Sequence, residues 1–222
     1  MIPKVTLFSI TSNPLECIAL GIDAWHAEKI PTSPDHWTEE QLIEKFMWLL
    51  KQPHQTPFEY VNLVWVLENC SRAFQQQLTR HRVGFSYSIQ SLRVVECAKF
   101  ADNRAYHLPA SVKDKLMYHK EMLMIQQSYR DALSRGETQE DARGLLPLNV
   151  QSPITFACTY RALIGLLKQR LCVAAQEEWR YVAEGMRNAL RDVNPILTVP
   201  LDCMCKRFAN GSGMCKTLHK AV

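Results

Sequence analysis

Apolar residues in this 222-residue chain come in short runs, at 63–67, 122–125 and 163–167. None approaches the roughly 20 residues that a membrane-spanning helix needs. The apolar content must therefore be buried by short strands and one-sided helices packed in layers. There is enough of it: 47% of residues are hydrophobic and 22% charged, which excludes disorder as the dominant state. The N-terminus lacks the charged start and long apolar centre of a secretion signal, so the expected location is cytoplasmic. Most of the eight cysteines sit alone in apolar segments and are expected to be reduced, buried thiols. Cys203, Cys205, Cys215 and His219 near the C-terminus do not follow a standard zinc spacing, and no metal is expected.

The patterns predict strands at 5–10, 61–68 and 153–159, and helices starting at Pro14 and over 38–51, 71–82, 111–134, 137–146, 161–171 and 175–191. Thr38 is the expected N-cap of its helix, with Leu42, Ile43, Phe46, Leu49 and Leu50 as the apolar stripe. Ala175, Trp179, Val182, Met186 and Leu190 recur at steps of three and four, a core stripe. On the 111–134 helix, Val112, Leu116, Met122 and Leu123 are the inward candidates, with His119 near that face as a packed or half-exposed side chain. Segments 23–38, 52–57 and 100–109 read as loops, and 85–95 as irregular or extended. The expected fold class is α+β: a single mixed domain, helix-rich around a central, mostly antiparallel sheet. It spans residues 1–191, and 192–222 is a mobile C-terminal tail.

The chemistry concentrates near residue 80. On a helix running to Arg82, Gln77, Arg80 and His81 fall at i, i+3 and i+4 and share one face. That face offers an amide, a guanidinium and an imidazole to an anionic, planar-edged ligand such as a nucleotide. Two flanking guanidiniums favour neutral His81. Ser86, Ser88, Gln90, Ser91 and Arg93 follow, which is poor core material and good ligand lining. Arg161 and Arg170 lie nine positions apart, so on one straight helix they face opposite sides and meet different ligands or subunits.

Five elements in order resemble the flavin-dependent thymidylate synthases over about residues 5–190. They are His54-Gln55-Thr56-Pro57-Phe58-Glu59; Arg80-His81-Arg82 followed by Ser91 and Arg93; Ala142-Arg143 to Pro147; Arg161 to Leu163; and Arg170 to Glu178. The resemblance implies a homotetramer with shared active sites. It implies FAD reduced by NADPH, and a one-carbon unit passed from methylenetetrahydrofolate to C5 of dUMP to give dTMP. Carried over, Thr56, Arg80, His81, Arg82 and Arg161 hold FAD, and His54 lines the flavin and folate side. Gln77, Ser91, Arg93, Arg143 and Arg170 hold dUMP, with Ser91 and Arg170 at the reacting end. No Pro-Cys pair, the nucleophile setting of the other thymidylate synthases, occurs.

The chain departs from the family pattern at an extra residue, Phe85, and at Ile89, Val94, Thr159, Gly165 and Ala174. These departures keep two relatives in view: an enzyme acting at C5 of another uracil nucleotide (UMP methylation or dUMP hydroxymethylation), and a nucleotide-binding relative without catalysis. A nucleic-acid-binding module is not expected, because no aromatic platform is interleaved with the basic run. The net charge of +4 is local. Residues 72–104 hold six basic and two acidic side chains, and the remainder sums to zero. With no glycine-rich phosphate loop in the sequence, arginines are left to meet phosphates.

Overall fold

Strand β1 (Lys4–Ile10), helix α1 (Pro14–His26) and helix α2 (Glu39–Leu49) open the chain in a computed structural model describing residues 1–203. Strand β2 (Asn62–Ser71), helix α3 (Arg72–Leu78) and strand β3 (Phe85–Ile89) follow. Then come α4 (Lys115–Ser134), α5 (Gln139–Ala142), β4 (Gln151–Thr159), α6 (Tyr160–Arg170) and α7 (Glu177–Val193). Among the described residues the strands form a four-stranded antiparallel sheet ordered β1-β2-β4-β3, and the fold is α+β and helix-rich. No helix of the described residues is long and apolar enough to cross a membrane.

Local chemistry explains most boundaries. Thr38 caps α2 through a capping box with Gln41. In β4, Ile154, Phe156 and Cys158 are buried while Thr155 and Ala157 are exposed, the alternation of a strand with one face on a core. Four of the five expected α7 stripe residues, Trp179, Val182, Met186 and Leu190, are fully buried, whereas Ala175 lies before the helix, which starts at Glu177.

Several boundaries differ from expectation. Helix α1 continues through Trp25 and His26, residues read as loop. Helix α4 starts at Lys115, because Asp114 caps it by accepting from Met117 N; Val112 lies outside, and Leu116 is exposed rather than inward. The 137–146 helix is four residues of α5 followed by a 3-10 turn, Arg143–Leu145. Residues 85–89 are a strand. Pro195–Leu201 forms a 3-10 helix with Leu197, Pro200 and Leu201 buried. Met204, Cys205, Gly211–Gly213, Cys215 and His219 lie outside the described residues; within them, no cluster of potential metal ligands occurs.

The chain resolves into two compact units. Unit 1 comprises 1–5, 66–80 and 87–155; unit 2 comprises 6–65, 81–86 and 156 onward. Unit 1 buries Phe100, Tyr106, Met122 and Val150 in one cluster, and Tyr129, Ala132 and Ala142 in another. Unit 2 packs Phe46, Phe58 and Tyr160 together, with ring centroids 5.3 Å apart for Phe46–Phe58 and 5.4 Å for Phe58–Tyr160. The buried Tyr160 hydroxyl donates to the Leu197 carbonyl at 2.6 Å. A Cβ on Gly21 of α1 would lie 2.8 Å from Pro57 Cβ, so only glycine lets α1 approach the 3-10 helix Thr56–Tyr60 this closely.

The thiols follow the burial. Cys70, Cys158, Cys172 and Cys203 are buried, Cys17 and Cys97 half-buried, and none of the six is in a disulfide. Burial pushes the Cys158 thiol up to about 12, which keeps it protonated and unreactive. Iodoacetamide at pH 8 on the native protein is therefore expected to leave Cys158 unmodified. Cys17 and Cys97 are expected to label slowly, because burial raises their thiols as well. Peptide mass spectrometry reads the outcome; labelling of Cys158 at the rate of Cys17 would contradict it.

Candidate functional site

The predicted single face of Gln77, Arg80 and His81 does not form. Ser71 caps α3 by accepting from Phe74 N, and the helix ends at Leu78. Hydroxyls end it early: Thr79 Oγ1 donates back to the Gln75 carbonyl at 3.0 Å, and Tyr87 donates to the Leu78 carbonyl at 2.8 Å. Gln77 stays on the helix, whereas Arg80, His81 and Arg82 lie on the turn that leads to β3.

In unit 2 this turn is fixed against α6. Gly84 has φ +75°, and a Cβ there would meet Ala162 Cβ at 2.8 Å and Thr159 Oγ1 at 2.9 Å. The Gly84 carbonyl accepts from Thr159 N at 3.0 Å. Thr159 in turn caps α6, accepting from Ala162 N at 3.3 Å. The cap explains what threonine does at this position. Phe85, the extra residue, packs between His81 and Phe156 with centroids 6.1 Å from each.

The His81 imidazole meets the far end of α6. Arg170 Nη2 lies 3.3 Å from His81 Nε2. A guanidinium only donates, so a hydrogen bond in this pair has Nε2 as the acceptor. The Arg170 guanidinium also lies over the Trp179 indole, 4.6 Å from its centroid. Trp179 is fully buried, so the cation rests on an immobile plate. At the start of α6, Arg161 Nη1 pairs with Glu59 Oε1 at 2.6 Å. Arg161 and Arg170 thus have different side-chain partners within unit 2. Gly165 is exposed, with nothing within 4 Å of a Cβ added there.

His54 and Thr56 border a cleft of about 490 Å³ in unit 2. Its walls carry Trp25, His26 and Trp48, with His26 edge-on to both indoles at 6.2 and 6.1 Å. The aromatic walls of this cleft suit a planar ring system.

Unit 1 gathers the other arginines. Glu140 of α5 bridges two of them: Oε2 lies 2.9 Å from Arg93 Nη2, and Oε1 lies 3.6 Å from Arg143 Nη2. Arg143 Nε also donates to the Glu140 carbonyl at 3.2 Å. The Ser91 hydroxyl accepts from Arg93 N at 3.3 Å and holds that turn. With its amide nitrogen turned towards them, Gln139 donates to the carbonyls of Arg93 and Val94 at 3.0 and 3.3 Å. In the same unit, Arg72 Nη1 donates to Gln75 Oε1 at 3.0 Å, to the Gln90 carbonyl at 3.3 Å and to Ser152 Oγ at 3.4 Å. Ile89 and Val94 are exposed.

Sequence reasoning missed Glu140, Glu59, Arg72 and the plate role of Trp179. Glu140 carried a signal, since it stands three residues before Arg143 on a helix. Glu59 stood inside the quoted block without a role. Arg72 and Trp179 carried none, because a lone arginine reads as surface and a striped tryptophan as core.

Known proteins share this chain's sequence and fold. The family model for thymidylate synthase complementing protein matches residues 6–196. The flavin-dependent thymidylate synthase of Pyrococcus furiosus is 32% identical over 203 residues, covering 87% of this chain and 82% of its own length. That of Nitratidesulfovibrio vulgaris is 32% identical over 223 residues, covering 93% and 89%. Among solved structures, Helicobacter pylori ThyX complexed with FAD and dUMP matches with a TM-score of 0.72 at 17% identity, covering 90% of this chain and 99% of its own. The UMP/dUMP methylase PolB from Streptomyces cacaoi, bound with 5-Br dUMP, matches at 0.70 and 20% identity, covering 89% and 94%.

Proposed function

This chain belongs to the thymidylate synthase complementing protein family, the flavin-dependent thymidylate synthases, and from that premise we propose that it methylates dUMP at C5 to give dTMP. One observation carries the reading. His81, of the Arg-His-Arg motif, and Arg170, which opens the motif ending at Glu178, are 89 residues apart and touch at 3.3 Å.

The residues fit a flavin. His54 and Thr56 border an aromatic-walled cleft for a planar ring, and Arg80, Arg82 and Arg161 are exposed cations for a diphosphate. When bound, FAD would supply the hydride chemistry and mediate passage of the one-carbon unit, so the protein itself needs no nucleophile. Methylenetetrahydrofolate is the donor and NADPH the reductant in this reading, and the working form is a cytoplasmic homotetramer with shared sites. The domain is read as residues 1–191, with Pro195–Leu201 packed onto it through the Tyr160–Leu197 hydrogen bond.

The chain's own work is positioning and charge stabilisation. Arg93 and Arg143 take the nucleotide phosphate, and Gln77 and Ser91 donate to the nucleotide. Arg170, held flat by Trp179 and braced on His81, stabilises negative charge on the uracil as C5 reacts. His81 keeps Arg170 oriented.

The reaction is tested by incubating the protein with FAD, NADPH, methylenetetrahydrofolate and either dUMP or UMP, with products identified by mass. A flavin absorption spectrum and conversion of dUMP to dTMP are expected. Turnover of UMP alone, or a product heavier than dTMP by one oxygen, would replace the assignment with a reaction on the same fold. Binding of dUMP by a colourless protein that takes up no FAD would reduce it to a binding role.

A further inference from the structure

We propose that the Glu140 carboxylate is a built-in stand-in for the nucleotide phosphate, and that Arg72 completes the cation set the phosphate enters. The inference rests on the reading of Arg93 and Arg143 as phosphate ligands. One carboxylate bridges both guanidiniums, with one oxygen on each, which is how a phosphate would engage them. The bridge is exchangeable. The paired side chains are 38–57% exposed, so water screens the attraction and holding them together contributes little.

Charge balance favours the exchange. Arg72, Arg93 and Arg143 against Glu140 leave an excess of two positive charges. A phosphate monoester brings about −1.5 to −2 near pH 7. Asp141, the next carboxylate along α5, is engaged elsewhere, accepting from the Thr138 hydroxyl at 2.7 Å.

Arg72 is held for this task rather than lying loose on the surface. Its three hydrogen bonds reach Gln75 and Ser152, both buried, and the carbonyl of Gln90 beside Ser91. Burial and the like charge of Arg143 both make its charge harder to carry. An arriving anion relieves that penalty.

The scaffold survives loss of the carboxylate. Gln139 holds the Arg93 and Val94 carbonyls, and the Glu140 backbone carbonyl holds Arg143. Calorimetry on the wild type, Glu140→Gln and Arg72→Gln therefore tests the idea, with dUMP, inorganic phosphate and deoxyuridine as probes. Glu140→Gln is expected to bind dUMP and phosphate about three- to tenfold more tightly. Arg72→Gln is expected to bind both about tenfold more weakly, with Arg72→Lys in between. Deoxyuridine, which lacks the phosphate, should bind all of them equally.

Glu140→Gln binding dUMP and phosphate no more tightly than the wild type would overturn the proposal, as would equal tightening of deoxyuridine. Glu140→Ala gives the same readout should the glutamine variant misfold. The two readings fail separately. Phosphate tightened by Glu140→Gln with no dUMP binding would remove the nucleotide assignment and keep the anion site. Ordinary dUMP binding that Glu140→Gln leaves unchanged would remove the stand-in and keep the function.

Discussion

Arg170→Ala is expected to lower turnover at saturating dUMP by about 10²- to 10³-fold, the usual cost of one pre-organised charge-stabilising donor. The size follows from how Arg170 is held. It lies over an indole that cannot move, 4.6 Å from the centroid, and donates to His81 at 3.3 Å. It therefore pays little reorganisation when charge develops in the nucleotide, and a solvent cation cannot replace it. Arg170→Lys should recover little. An ammonium keeps the charge but loses both the flat stack and the fork of donors. The effect should fall on kcat more than on KM, because Arg93 and Arg143 still bind the phosphate end. Steady-state kinetics on variants with unchanged circular dichroism make the measurement. Activity of Arg170→Ala within about threefold of wild type would remove Arg170 from the reacting end.

The parts of this molecule that sequence resolves are those with local causes. The Thr38 cap and the α7 stripe are examples: the capping box forms, and Trp179, Val182, Met186 and Leu190 are buried. Failures come where a distant or hydroxyl-borne bond decides. Nothing between Ser71 and Arg82 breaks a helix by propensity, yet the Tyr87 hydroxyl takes the Leu78 carbonyl and Thr79 folds back on Gln75, so α3 stops and the Arg-His-Arg run becomes a turn. Leu116 fits an inward position by spacing, but the helix that carries it begins only at Lys115, and Leu116 in its first turn is exposed. The site divides in the same way. The order of the motifs matched a family, whereas the pairings are long-range: Arg161 reaches Glu59 across 102 positions and Arg170 reaches His81 across 89. The Glu140–Arg143 contact, three residues apart on the chain, was the pairing that spacing alone made readable.

Gly84→Ala is expected to destabilise the protein by about 2–4 kcal/mol, which in a chain of this size lowers Tm by about 5–15 °C. Two costs combine. The backbone at φ +75° is left-handed, which costs a residue with a Cβ about 1–2 kcal/mol. The new methyl also meets Ala162 Cβ at 2.8 Å and Thr159 Oγ1 at 2.9 Å, neither of them the far end of a flexible side chain. Relief would push on Thr159, which both binds the Gly84 carbonyl and caps α6, so the damage spreads to the helix that carries Arg161 and Arg170. Gly136 separates the two costs. Its φ is +89°, but an added Cβ would meet nothing within 4 Å, so Gly136→Ala carries the backbone cost alone, about 1 kcal/mol. Adding Ala162→Gly to Gly84→Ala removes one of the two contacts and should recover part of the loss. Thermal unfolding of the four proteins gives the comparison. If Gly84→Ala melted no lower than Gly136→Ala, the turn would have room for a methyl, and the close approach of Gly84 to Thr159 and Ala162 would need another cause.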